Sequence, residues 1–118
     1  MTATKFIEAN GVRFAYLESG SGPLVLLVHG FPDTAHTWDL VRPALAKSGF
    51  RAVAPFTRGY APTSVPTDGE YGSAMLGQDL LALVTALGES SAVIVGHDWG
   101  ASAAYAAAAI DPARVKKL

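Results

Sequence analysis

The 118-residue chain contains no cysteine. Disulfides and thiolate metal sites are therefore excluded, which accords with a reducing compartment. Long apolar runs are also missing. The longest, Leu24 to Val28 and Ala103 to Ile110, fall short of the ~20 residues a membrane-spanning helix needs. Residues Met1 to Glu8 carry no apolar segment of the secretory type. Neither sign of charge is in excess: nine Lys and Arg stand against ten Asp and Glu, a formal net charge of -1. The basic residues are scattered except for Arg114 to Lys117, which leaves no electrostatic footprint for nucleic acid. No repeat or low-complexity linker divides the chain. These absences predict a soluble, cytoplasmic protein that engages neither nucleic acid nor membrane.

Half of the residues are hydrophobic and 16% are charged, the balance of a chain that builds its own core. At this length a single domain over residues 1-118 is expected. Lys5 to Ala9 and Val12 to Leu17 partly alternate around Asn10-Gly11, a dipeptide that tolerates positive φ at both central turn positions, so a β-hairpin is predicted. Pro23 to Val28 is continuously apolar, as a parallel strand covered on both faces would be. Further strands are predicted within Arg51 to Phe56 and at Ala92 to Val95.

A helix is predicted from about Thr37 to Lys47, with Trp38, Val41 and Leu45 on one face and Gly49 as its stop. Ser73 is positioned to cap a second helix, with Met75, Leu76, Leu80, Leu83, Val84 and Leu87 on one face and Gly88 closing it. An Ala-rich third helix ends near Asp111-Pro112. Residues Thr57 to Gly72 read as a long loop. The alternation of strands and helices predicts an α/β fold in which a β-hairpin is followed by a doubly wound parallel sheet with flanking helices.

The segment Gly96-His97-Asp98-Trp99-Gly100 joins the last predicted strand to the Ala-rich helix. It fits a small-x-nucleophile-x-small turn, in which a strained backbone lifts the central side chain out of the sheet and side chains at the flanking positions would collide with neighbouring backbone. Asp98 could instead be an ordinary helix N-cap. What favours chemistry is a second segment, His29-Gly30-Phe31-Pro32, at the end of the other long apolar strand, where a second oxyanion-stabilising N–H would originate.

With Arg58-Gly59-Tyr60 after the intervening strand, these segments resemble the epoxide hydrolase and haloalkane dehalogenase branch of the α/β-hydrolase superfamily, from about Phe6 to the C-terminus. The resemblance implies Asp98 as the nucleophile and the backbone N–H groups of Phe31 and Trp99 as the oxyanion hole. The side chains of Phe31, Pro32 and Trp99 would line the substrate pocket, and His29, Gly30, Gly96, His97 and Gly100 would serve the two motifs structurally. Arg58-Gly59-Tyr60 would shape the loop below the site. No cofactor and no metal is implied; His36 with Asp33 and Asp39 reads as a solvated helix start.

An aspartate suits this chemistry without activation, because with an ordinary pKa near ~3.9 it is already ionised at neutral pH. It can displace at a saturated carbon to give an alkyl-enzyme ester that water then hydrolyses. Phe31 stands where dehalogenases of this branch often carry an Asn that binds halide, which favours an epoxide as the small-molecule substrate; Trp99 does not discriminate. The alternatives are a haloalkane dehalogenase or other hydrolase, and a non-catalytic binding module on the same scaffold.

In the resembling branch the triad acid, the catalytic His and the tyrosines of a cap domain follow the nucleophile. Beyond Asp98 this sequence has one acid, Asp111, and no His. The chain is accordingly expected to be the N-terminal portion of the core domain, with an incomplete sheet and no cap, and to be inactive alone. The strand at Ala92 to Val95 is expected to form an exposed apolar edge.

Overall fold

The computed structural model describes residues 3-118. A six-stranded mixed sheet, three α-helices and two short 3-10 turns follow the order β1 (Lys5–Ala9), β2 (Val12–Ser19), β3 (Leu24–Val28), α1 (Val41–Lys47), β4 (Arg51–Pro55), α2 (Ser73–Ala86), β5 (Ala92–Gly96), α3 (Trp99–Ile110) and β6 (Val115–Lys117), with the 3-10 turns at Ala35–Trp38 and Pro112–Arg114. The hairpin forms as the Asn10-Gly11 pair dictates: both residues take positive φ, 48° and 75°, and Ala9 pairs with Val12.

The strands lie in the order β1-β2-β4-β3-β5-β6. The β1–β2 and β2–β4 pairs are antiparallel, and β4, β3, β5 and β6 run parallel. Because strand side chains alternate, β3 splits its apolar run between two cores. Leu24, Leu26 and Val28 face the core built with α2 and α3, and Val25 and Leu27 face the one that includes Ala35, Trp38 and Leu45. All five residues are buried, as a central parallel strand requires.

Three local expectations are corrected. The helix predicted over Thr37 to Lys47 is two pieces, the 3-10 turn Ala35–Trp38 and α1. Pro43 supplies the reason: it has no N–H to donate back to residue 39, so an unbroken ladder through this segment cannot form, whereas Pro is tolerated in the first turn of a helix that starts at Val41. Trp38 and Leu45 pack inward as expected, but Val41 is exposed.

Ser73 is the first residue of α2, and the cap position belongs to Gly72, whose extended backbone offers its carbonyl to the Leu76 N–H at 3.0 Å. The buried face of α2 also includes Gly77, Asp79 and Leu81, beyond the apolar positions expected. Finally, β5 is not the sheet edge. Ala92 and Val93 pair with Val115 and Lys117 of β6, so β6 covers β5 and lies outermost among the described strands on that side. No helix among the described residues is long and apolar enough to cross a membrane.

Candidate active site

The site is assembled by strand register. Val28, the last residue of β3, pairs with Gly96, the last residue of β5, so the segments that leave these two strands emerge side by side. The His97 N–H donates to the Val28 carbonyl at 3.1 Å and ties the second segment to the first.

Asp98 occupies the turn between β5 and α3 with φ 58° and ψ -122°. This is positive-φ backbone at a non-glycine residue, a conformation that surrounding structure must enforce. The turn is closed by backbone bonds, Gly100 N–H to the His97 carbonyl and Ala101 N–H to the Asp98 carbonyl, each at 2.9 Å. Asp98 stands at the cap position of α3, yet its side chain makes no capping bond. The Phe31 N–H instead donates to Asp98 Oδ2 at 3.0 Å. Backbone hydrogen bonds from Phe31 and then Trp99 hold the carboxyl below its ordinary pKa. The Asp98 side chain is solvent-exposed, and so are the side chains of Phe31 and Trp99 beside it.

Close approach explains the small residues. A Cβ on Gly100 would sit 2.1 Å from the Val28 carbonyl oxygen, and one on Gly96 would sit 2.4 Å from the Gly100 carbonyl oxygen. A Cβ on Gly30 would come within 2.4 Å of Asp98 Cβ. A side chain at Gly30 or Gly100 would push the end of β3 and its loop away from the Asp98 turn, and one at Gly96 would open the turn itself.

His29 is buried. Its Nδ1 lies 2.9 Å from the Gly30 carbonyl oxygen and its Nε2 accepts from the Thr57 N–H at 3.1 Å. Burial lowers its pKa, which favours the neutral ring. The Tyr60 ring stands edge-on against it with centroids 4.7 Å apart. His97 is exposed, and Pro32 is exposed in the β3 loop. His36 lies apart in the 3-10 turn, where Nδ1 pairs with Asp39 Oδ2 at 3.0 Å and Asp39 in turn pairs with Arg42.

A cavity of about 260 Å³ opens beside the turn and runs between the sheet and the helices α2 and α3. Phe31 and Trp99 stand at its wall together with Tyr60, Tyr71, Leu76 and Leu80. Pro32 does not reach it. The lining is mainly apolar, with His29, Thr57 and the paired Arg58 and Asp79 as its polar members, which suits a small, weakly polar molecule.

Arg58 does hold the loop, but through a buried ion pair that was not expected from the sequence. Arg58 is fully buried and forms a two-pronged pair with Asp79 of α2, Nε to Oδ2 at 2.7 Å and NH2 to Oδ1 at 2.9 Å. Asn10 Nδ2 of the hairpin turn also donates to Asp79 Oδ1, at 2.8 Å. Arg58 NH1 reaches Asp68 Oδ1 at 3.1 Å and the Glu70 carbonyl at 3.2 Å, so one guanidinium ties the long loop to α2. The signal available in the sequence was Asp79 itself, an acid set among the apolar positions of a helix face.

The fold and the paired strand ends define an α/β-hydrolase, and the chain belongs to that family: the α/β-hydrolase fold model matches residues 23–118. Among individual proteins, the chain is 48% identical over 113 residues to an epoxide hydrolase of Caballeronia sordidicola, covering 95% of this chain and 34% of that protein. It is 42% identical over 109 residues to the bifunctional epoxide hydrolase 2 of Sus scrofa, covering 92% of this chain and 20% of that protein. The crystal structure of an epoxide hydrolase from Vigna radiata superposes with a TM-score of 0.92 at 36% identity, covering 98% of this chain and 38% of that one. The chain thus spans about a third or less of the length of the curated relatives named here.

Proposed function

We propose that this chain carries the nucleophile of an epoxide hydrolase, with Asp98 as the attacking carboxylate. The observation that carries the reading is the Phe31 N–H held at 3.0 Å from Asp98 Oδ2 in a turn where Asp98 makes no capping bond. An aspartate serving only as a cap would direct its oxygen to the second or third N–H of its helix, Gly100 or Ala101, which here donate to the His97 and Asp98 carbonyls instead. Similarity to epoxide hydrolases along nearly the whole chain supports the choice of substrate class.

The chemistry follows from which oxygen is held. Asp98 Oδ1 attacks an epoxide carbon, the ring C–O bond breaks with its electron pair on the departing oxygen, and that oxygen takes a proton from an acid outside residues 1–118, the cap tyrosines that the resemblance implies, to become an alcohol. Asp98 is left as an ester with Oδ2 as its carbonyl oxygen. Water then attacks the ester carbon and gives up a proton, the Phe31 and Trp99 N–H groups stabilise the negative charge that develops on Oδ2, and collapse releases a diol and restores the carboxylate. Loss of one such donor typically costs about 2.7 to 4 kcal/mol of transition-state stabilisation.

Phe31 supplies no side-chain donor for a halide, which supports the epoxide reading over a haloalkane. The proposed substrate is a small epoxide or similar apolar electrophile. A cytoplasmic setting is supported by the absence of cysteine.

Residues 1–118 are proposed not to turn over by themselves. His29 is occupied on both ring nitrogens, His36 lies apart, His97 belongs to the turn that holds Asp98, and no His follows Asp98 within these residues to activate the hydrolytic water. The test is intact-mass measurement, after brief exposure to an aryl epoxide, of the full-length protein carrying this sequence with its hydrolytic His replaced. An adduct of one substrate mapped to Asp98 supports the reading. An adduct formed only from a haloalkane, with loss of halide, replaces it with a dehalogenase, and no adduct from either leaves a binding module.

A further inference from the structure

The neighbours of His29 fix which of its nitrogens carries the proton. A backbone N–H can only donate, so Nε2, which lies 3.1 Å from the Thr57 nitrogen, must be the bare acceptor. A carbonyl can only accept, so Nδ1, 2.9 Å from the Gly30 oxygen, must hold the hydrogen. The Gly30 carbonyl and the Thr57 N–H select the same tautomer, and the Thr57 hydroxyl, 3.3 Å from Nε2, can donate to that bare nitrogen as well. The ring is kept in place by Tyr60, edge-on at 4.7 Å, and Thr57 by the Tyr60 N–H on its carbonyl at 2.9 Å.

The carbonyl that receives this proton belongs to the same planar unit as the N–H that holds the nucleophile, because Gly30 C=O and Phe31 N–H are two ends of one peptide. A donor on the oxygen fixes the rotation of the plane. It also draws electron density from the nitrogen, which strengthens the N–H as a donor, as hydrogen bonds in series do. The series runs from Thr57 N–H through the imidazole and the Gly30–Phe31 peptide to Asp98 Oδ2, with separations of 3.1, 2.9 and 3.0 Å.

We propose that His29 is a positioning residue whose Nδ1–H orients and polarises the Gly30–Phe31 peptide for oxyanion stabilisation. The inference rests on the roles proposed above for Asp98 and the Phe31 amide. It predicts an asymmetry between the two chemical steps. During ester formation Oδ2 changes from a carboxylate oxygen to a neutral carbonyl and loses charge; during hydrolysis it gains charge. A misdirected Phe31 N–H therefore slows hydrolysis and leaves ester formation unimpaired, whereas general damage to the fold slows both.

The test compares His29→Asn with His29→Gln in the full-length protein carrying this sequence. The Asn amide nitrogen lies near the position of imidazole Nδ1 and can still donate to the Gly30 carbonyl; the Gln amide extends to the position of Nε2 and cannot. Stopped-flow and quenched-flow measurements with an aryl epoxide read the two steps separately. The expected result is a hydrolysis rate about tenfold or more lower in the Gln variant, with unchanged ester formation and accumulation of the alkyl-enzyme. The Asn variant retains most of the wild-type hydrolysis rate. Equal behaviour of the two variants, or a parallel fall in both steps, overturns the inference. If neither variant folds, a long-range 1H–15N spectrum of the wild-type imidazole decides: a protonated Nδ1 supports the positioning role, and a protonated Nε2 overturns it. Absence of any alkyl-enzyme in wild type under every condition sinks the assignment of Asp98 itself; normal adducts with the wrong variant pattern sink only the role of His29.

Discussion

The Phe31 amide and Asp98 Oδ2 lie 3.0 Å apart although 67 residues separate them in the chain. The contact exists because β3 and β5 are neighbours whose last residues pair, and because Gly30 leaves no Cβ between the two segments. Adding one is the most direct perturbation of the site. In Gly30→Ala the new methyl would start 2.4 Å from Asp98 Cβ and 2.7 Å from the His97 carbonyl oxygen, so the β3 loop must move away. Epoxide hydrolysis should fall by about a hundredfold or more, the loss expected of one oxyanion donor, while stability falls by about 1–3 kcal/mol from overpacking. Steady-state rates alongside urea unfolding check both. Near-normal activity would mean that the Phe31 amide is not needed.

The Asp98 carboxyl is held below its ordinary pKa by the Phe31 and Trp99 N–H groups. Its folded-state pKa is therefore lower than its unfolded one, so any stability it contributes is present above the unfolded value and is lost as pH falls through the folded value. The same sign applies to reactivity, since only the carboxylate attacks. Formation of the Asp98 ester should stay constant as pH drops through the ordinary carboxylate range near ~4 and decline only below it. Adduct formation against pH, read by mass spectrometry, tests this. A rate already halved at a pH above that range would contradict it.

The main chemistry-bearing segments were legible in the sequence because each is continuous: a strand-length apolar run followed at once by His29-Gly30-Phe31-Pro32, and another followed by Gly96-His97-Asp98-Trp99-Gly100. The sheet was legible for the same reason, through Asn10-Gly11 and the uninterrupted apolar residues of β3. What could not be read was anything fixed by partners distant in the chain. Asp79 is an unremarkable acid on a helix until Arg58 and Asn10 are placed around it. The strained backbone of Asp98, by contrast, was legible through the glycines that flank it, and its φ of 58° agrees. Pro43 is local and marks the place where the segment divides into the 3-10 turn and α1.

Gly100 reports on the packing of the turn through stability. A Cβ there would lie 2.1 Å from the Val28 carbonyl oxygen and 2.7 Å from that of His29. Both are backbone atoms of the central strand and its exit, which cannot yield as a flexible side chain would. Gly100→Ala should therefore destabilise the fold by about 1–3 kcal/mol or more, seen as a lower urea midpoint. An unchanged midpoint would show that α3 can shift along β5 without loss.

The Arg58–Asp79 pair makes the sharpest stability prediction, because its two side chains are buried while the ties it makes to Asp68 and Glu70 reach the surface. Removing one partner leaves the other buried beside Leu80, Leu83 and Phe14 at the cavity wall without its two-pronged pair, held only by Asp68 and the Glu70 carbonyl in the case of Arg58 or by Asn10 in the case of Asp79. Asp79→Leu or Arg58→Met alone should thus cost about 3–5 kcal/mol, whereas the double variant, which removes both charges, should recover much of that loss. The recovery should be incomplete, because Asn10 Nδ2 loses its acceptor and the segment around Asp68 and Glu70 loses its anchor. A double-mutant cycle by urea unfolding separates the two effects: a coupling near zero would mean that the pair is solvated in solution. Activity supplies the second readout. Loop anchoring sets where Tyr71 lies on the cavity wall, so the double variant should raise KM for an aryl epoxide more than it lowers kcat. A selective loss of kcat would place the pair in the chemistry instead of in the pocket wall.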